Sequence, residues 1–162
     1  MANETHSVDL SFQPRLESVS AVRRFLEVHY RRLVSNPKLI DRLAVTVHEL
    51  LENAAKYSTG GGSRLTVEVS PSVPHALSVT VASQADPAHL AGLRETLAEL
   101  SGPEDPLAVY QRYLLRAATR DEGSGLGLAR VVVEAGMTVD VELADDRICV
   151  KAVAAPRPAG TS

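Results

Sequence analysis

Basic charge, long apolar runs and cysteine are all scarce in this chain, and each scarcity removes a class of function. Its 17 lysines and arginines are outnumbered by 20 aspartates and glutamates, giving a formal charge of −3 and a pI near 5.9. No local basic patch offsets that balance, so a phosphate-tracking role on DNA or RNA is not expected. No apolar run approaches the ~20 residues needed to span a bilayer. The opening residues, MANETHSVDL, lack the basic and apolar regions of a secretory signal, so a cytoplasmic protein without a membrane partner is expected. The lone Cys149 has no second cysteine to pair with. Its surroundings, Arg147-Ile148-Cys149-Val150, read as a strand in which it fills the core. Five scattered histidines form no His-x-x-x-His pair, and no Cys-x-x-Cys is present, so no protein-built zinc site is expected.

What is present is enough for a core. A chain of 162 residues, 44% of them apolar, suits one globular domain. That domain is expected over residues 1–154, followed by a disordered tail at 155–162. Alternation in Val8-Asp9-Leu10-Ser11-Phe12 predicts a strand, closed by Pro14 before a helix from about Glu17 to Val34. Asn36-Pro37 interrupts, and a second helix runs from about Lys38 to Tyr57, ended by Thr59-Gly60-Gly61-Gly62. Leu65 to Val69 and Leu77 to Val81 alternate with period two, and the intervening Pro71 to Pro74 turn predicts a hairpin. Two amphipathic stretches, about Pro87 to Leu100 and Pro106 to Ala117, flank the breaker Ser101-Gly102-Pro103 and predict a helical pair. After a glycine-rich turn at Gly123 to Gly127 comes another helix, capped by Gly136. Thr138 to Leu143 and Arg147 to Val153 then form a closing hairpin around Asp145-Asp146. Interleaved helices and antiparallel strands predict an α+β fold, a two-layer sandwich with helices on one face of a mixed, mainly antiparallel sheet.

The most informative segment is Val47-His48-Glu49-Leu50-Leu51-Glu52-Asn53-Ala54-Ala55-Lys56-Tyr57. At 100° per residue, Leu43, Val47, Leu50 and Ala54 fall within about 60° of one another, and Glu49, Asn53 and Lys56 group on the adjoining shoulder. A carboxylate, a carboxamide and an ammonium beside a buried face suit a metal-phosphate group: the amide oxygen for magnesium, the carboxylate for a proton, the lysine for phosphate charge. The same spacing also describes a solvated helix face in which Glu52 and Lys56 form an i,i+4 ion pair. Further on, Gly123-Ser124-Gly125-Leu126-Gly127-Leu128-Ala129 places three glycines at alternate positions before an apolar helix. That arrangement lets backbone approach an anion at a helix start. It is not a P-loop, because no Lys-Ser/Thr follows, and no strand precedes it as in a dinucleotide fingerprint.

Together the two segments resemble the GHKL family of ATP-binding proteins, which includes gyrase, heat-shock chaperone, histidine kinase and mismatch-repair ATPases. His-Glu-Leu-Leu-Glu-Asn-Ala-Ala-Lys-Tyr is similar to the family's N box, and Gly-Ser-Gly-Leu-Gly-Leu-Ala to its C-terminal glycine box, about 70 residues later as the family order requires. The resemblance spans roughly Leu43 to Val153 and implies ATP and Mg2+ as cofactors. It further implies Glu49 as general base, Asn53 as magnesium ligand, Lys56 as phosphate contact and Tyr57 as part of the adenine wall. Gly123, Ser124, Gly125, Leu126 and Gly127 would close over the triphosphate. The family's Asp-x-Gly-x-Gly box is missing: Val81-Ala82-Ser83-Gln84-Ala85-Asp86-Pro87 stands in its place, and Asp86 before Pro87 reads as a turn or N-cap. Arg112, Arg116 and Arg120, spaced every four residues, read first as a solvated face. His29 reads as a helix-surface residue, not a phospho-acceptor.

By resemblance the chain is a stand-alone regulator of the bacterial anti-sigma-factor type. It would be a serine/threonine protein kinase that phosphorylates or sequesters a partner, either a sigma factor or an anti-sigma-antagonist, and a homodimer. The alternative is a catalytically inactive pseudo-ATPase acting as a protein-binding switch.

Overall fold

Apolar alternation sets which side of each strand is buried, and register then aligns those sides into continuous rows. In the computed structural model, which describes residues 4–70, 76–119 and 125–154, the order is β1 (His6–Phe12), α1 (Leu16–Arg31), α2 (Pro37–Tyr57), β2 (Ser58–Ser70), β3 (Ala76–Ala85), α3 (Pro87–Leu100), α4 (Pro106–Thr119), α5 (Leu126–Val133), β4 (Thr138–Ala144) and β5 (Arg147–Ala154). The strands form one five-stranded sheet in the order β1-β2-β3-β5-β4. Each of its pairings is antiparallel, so the expected mixed sheet is antiparallel throughout the described residues. Leu10, Leu65, Val81, Val150 and Val141 face one another across all five strands, and Val8, Val67, Val79, Ala152 and Val139 form the next row. These rows carry the helices. Leu43, Val47, Leu50 and Ala54, the predicted stripe of α2, are all buried against them, which is the hydrophobic term that holds the two layers together.

Element ends follow local chemistry. Asn36 caps α2, its Oδ1 accepting from the Leu39 N–H at 3.3 Å with Pro37 in the first turn. Gly136 closes the C-terminus of α5 at φ +63°, and Arg42 of α2 donates to the carbonyls of Ala135 at 2.7 Å and Gly136 at 2.9 Å. Those bonds tie α5 to α2. Between β4 and β5, Asp145 and Asp146 both sit in the left-handed region, the conformation of a tight hairpin turn.

Two further expectations are revised. The strand after α2 begins at Ser58, and it absorbs Gly60 and its neighbours through register shifts between Ser58 and Arg64. Backbone that glycine leaves conformationally free still pairs with β3 there. Cys149 is half-buried and absent from the core, because the odd positions of β5 point away from the helices while Ile148 and Val150 point toward them. His29 stays partly exposed on α1, set edge-on to Tyr30 at 4.9 Å. The Pro71 to Pro74 turn, Arg120 and the tail at 155–162 lie outside the described residues.

Candidate functional site

Because α2 buries one stripe on the sheet, its neighbouring polar shoulder is turned toward the groove between α2, α3 and the start of α5. A cavity of about 490 Å³ fills that groove, within the range of small-molecule sites. Glu49, Asn53, Lys56 and Tyr57 line it from α2, as do Gly125, Leu126 and Gly127 from the glycine turn. Two segments about 70 residues apart in the chain therefore meet at one site. Gly123 and Ser124 lie outside the described residues.

Glu49 is buried at 8% exposure. Its Oε1 accepts from Arg130 Nη1 of α5 at 3.1 Å. That hydrogen bond is the main reason the guanidinium is held above its ordinary pKa, against burial, which works the other way. The second carboxylate oxygen lies against Gly127, where a Cβ would come within 2.6 Å of Oε2. A side chain at 127 would therefore have to displace the Glu49 carboxylate. Gly125 is constrained twice, by φ +72° and by a Cβ position 2.8 Å from the ring of Tyr113.

Asn53 Nδ2 lies 3.3 Å from Nε2 of His89. An amide N–H2 only donates, so Nε2 accepts in this pairing, and burial lowers the His89 pKa in the same sense. The ring of His89 also stacks on Tyr57, with centroids 4.2 Å apart and planes inclined by 18°. Lys56 is paired with Glu52 at 3.0 Å, the i,i+4 geometry of a solvated face, while still bordering the cavity. Glu52 meets His48 Nε2 at 3.3 Å as well. His48, Glu49 and Glu52 place ligand atoms within 4.8 Å of one another, yet Arg130 and Lys56 already compensate the two carboxylates.

Asp86 is the N-cap of α3, accepting from the Ala88 N–H at 2.9 Å, as its Asp-Pro context predicts. No glycine box follows it. Instead the ordered helix α3 supplies His89, Gly92 and Thr96 to the cavity, none of which the sequence reading singled out. His89 carried only a weak signal, a polar residue in the first turn of a capped helix. Arg130 was one turn beyond the glycines, but nothing in the sequence showed that α5 packs on α2. The arginine repeat divides: Arg112 meets Glu99 at 3.6 Å and also Glu104, and Arg116 lies over the Tyr113 ring at 4.9 Å, so neither reaches the cavity.

The fold and this site define an α+β ATPase-type domain. The family description "Histidine kinase-like ATPase domain" matches residues 12–153, and the chain belongs to that family. A chain in the crystal structure of the SiaB-SiaC complex from Pseudomonas aeruginosa has a similar fold, with a TM-score of 0.57 at 16% identity over 91% of this chain and 88% of that one. A search of curated proteins finds no match. No helix among the described residues is long and apolar enough to cross a membrane.

Proposed function

We propose that the chain is a regulator, a single domain over residues 1–154, that binds Mg-ATP in the α2–α3–α5 cavity and transfers a phosphoryl group to a serine or threonine of a partner protein. The observation that carries this reading is the convergence of Glu49, Asn53 and the Gly125–Gly127 turn on one cavity. The residues fit the ligand. Lys56 is the one lysine or arginine lining the cavity among the described residues, and it is already paired with Glu52, so a triphosphate would need a divalent cation to enter, and Asn53 keeps Oδ1 available because His89 engages only Nδ2. The start of α5 and its glycines suit phosphate oxygens, and the Tyr57–His89 stack offers an aromatic wall for a planar base. Bound magnesium supplies charge neutralisation at the phosphates.

Asn53 would hold the cation and Lys56 would offset phosphate charge. Glu49 would take the proton of the acceptor hydroxyl as that hydroxyl's oxygen bonds to the γ-phosphorus and the bridging bond to ADP breaks. The similar chain's presence in a two-protein complex supports a protein partner, a sigma factor or an anti-sigma-antagonist. We further propose a cytoplasmic homodimer.

One observation favours a second reading, a nucleotide-free binding switch: Asp86 spends its side chain on capping α3 and no glycine box lies beside it. Thermal unfolding with and without millimolar Mg-ATP separates the two. At about 100 times its dissociation constant the ligand should stabilise the wild type by roughly 2.7 kcal/mol, and Asn53→Ala should lose that gain. An unshifted wild type rejects the nucleotide reading.

A further inference from the structure

Glu49 is the one buried carboxylate among the described residues, 8% exposed at the cavity wall, and a buried charge without a partner is costly. Its partner, Arg130, stands one turn past Gly127 on α5, and its guanidinium is oriented by the 3.1 Å contact to Glu49 Oε1. One turn further along α5, Glu134 accepts from the Tyr110 hydroxyl of α4. Holding Oε1 leaves Oε2 against the backbone of Gly127, at the start of the helix that borders the cavity.

We propose that Arg130 is a positioning residue for Glu49: it neutralises the buried carboxylate and pins one oxygen, so that the other is presented at the start of α5 without repelling an incoming terminal phosphate. This rests on the Mg-ATP reading. A plain structural clamp between α2 and α5 would use the same ion pair, but it would not distinguish ligands by their phosphate chain. Charge compensation beside the terminal phosphate would.

The test compares Mg-ATP and Mg-ADP affinities by calorimetry in the wild type, Arg130→Met, Arg130→Lys, Glu49→Gln and the Glu49→Gln/Arg130→Met double variant, with the melting temperature of each apo form recorded. Removing Arg130 should weaken Mg-ATP about tenfold or more and Mg-ADP less than about threefold. Arg130→Lys should restore most of the loss, and the double variant should bind Mg-ATP within about threefold of Glu49→Gln, since no uncompensated carboxylate remains. Equal losses for both nucleotides, no loss, or no rescue in the double variant overturn the proposal while leaving the nucleotide site intact. If Arg130→Met does not fold, the double variant and Arg130→Lys carry the same comparison. A wild type that takes up neither nucleotide overturns the Mg-ATP reading, and this proposal with it.

Discussion

His89 joins the two halves of the cavity wall, accepting from Asn53 and stacking on Tyr57. Burial lowers its pKa below the ordinary 6.5, which fixes the sign of a pH effect. Above pH 6.5 folded and unfolded chains both hold it neutral. As pH falls below that value the unfolded chain takes up the proton first, so stability declines until the lower folded pKa is passed. Urea unfolding across this window should show that decline, and His89→Gln should flatten it; an identical slope in the variant would remove His89 as the cause. At Gly127 the constraint is steric. Gly127→Ala places a methyl 2.6 Å from Glu49 Oε2, and displacing the carboxylate should cost roughly 1–3 kcal/mol. Chemical denaturation reads this directly, and a neutral or stabilising result would mean that Glu49 moves aside freely.

Single contacts also hold the elements together. Tyr30, on the buried face of α1, sends its hydroxyl to the carbonyl of Val67 at 3.0 Å and of His6 at 3.2 Å, pinning the helix to β1 and β2. Its pKa is pushed up to about 12, mainly by burial. Tyr30→Phe keeps the packing and loses the hydroxyl, so a loss of about 1 kcal/mol is expected in equilibrium unfolding. The β4–β5 turn offers the opposite sign. Asp146 holds a left-handed φ of 60°, and glycine adopts that conformation without a Cβ penalty. Asp146→Gly should therefore raise stability by a few tenths of a kcal/mol, up to about 1. A drop in the melting temperature would show that the aspartate side chain contributes more than the backbone conformation costs.

Across the whole molecule, burial is divided unevenly. One large cluster runs through the sheet, α1, α2 and α5, and a smaller one joins Leu100, Val109, Tyr113 and Ala129. Helix α4 depends on the smaller cluster through Val109 and Tyr113 and leaves Leu107, Leu114 and Leu115 exposed. Its amides should exchange with solvent well before those of α2 and β3, as hydrogen exchange read by mass spectrometry would show; equal protection would mean that α4 opens only with global unfolding. The periodicities of α2 and β3 were legible because their apolar positions repeat at the spacing of the elements themselves. The α3–α4 pair was readable for the same reason, bounded by Pro87, Ser101-Gly102-Pro103 and Pro106. Within the site, Glu49, Asn53 and the glycine turn were legible as motifs, each local in the chain. His89 and Arg130 were not, since their roles come from α3 and α5 closing on α2, and the outward side of Cys149 followed from register. The elements, the buried stripe of α2 and the glycine-rich turn before α5 were thus set by local spacing, because each depends on neighbours a few positions away. Which groups face Glu49 and Asn53 came from packing, because those partners lie 81 and 36 residues distant and the closing of α3 and α5 on α2 brings them within reach.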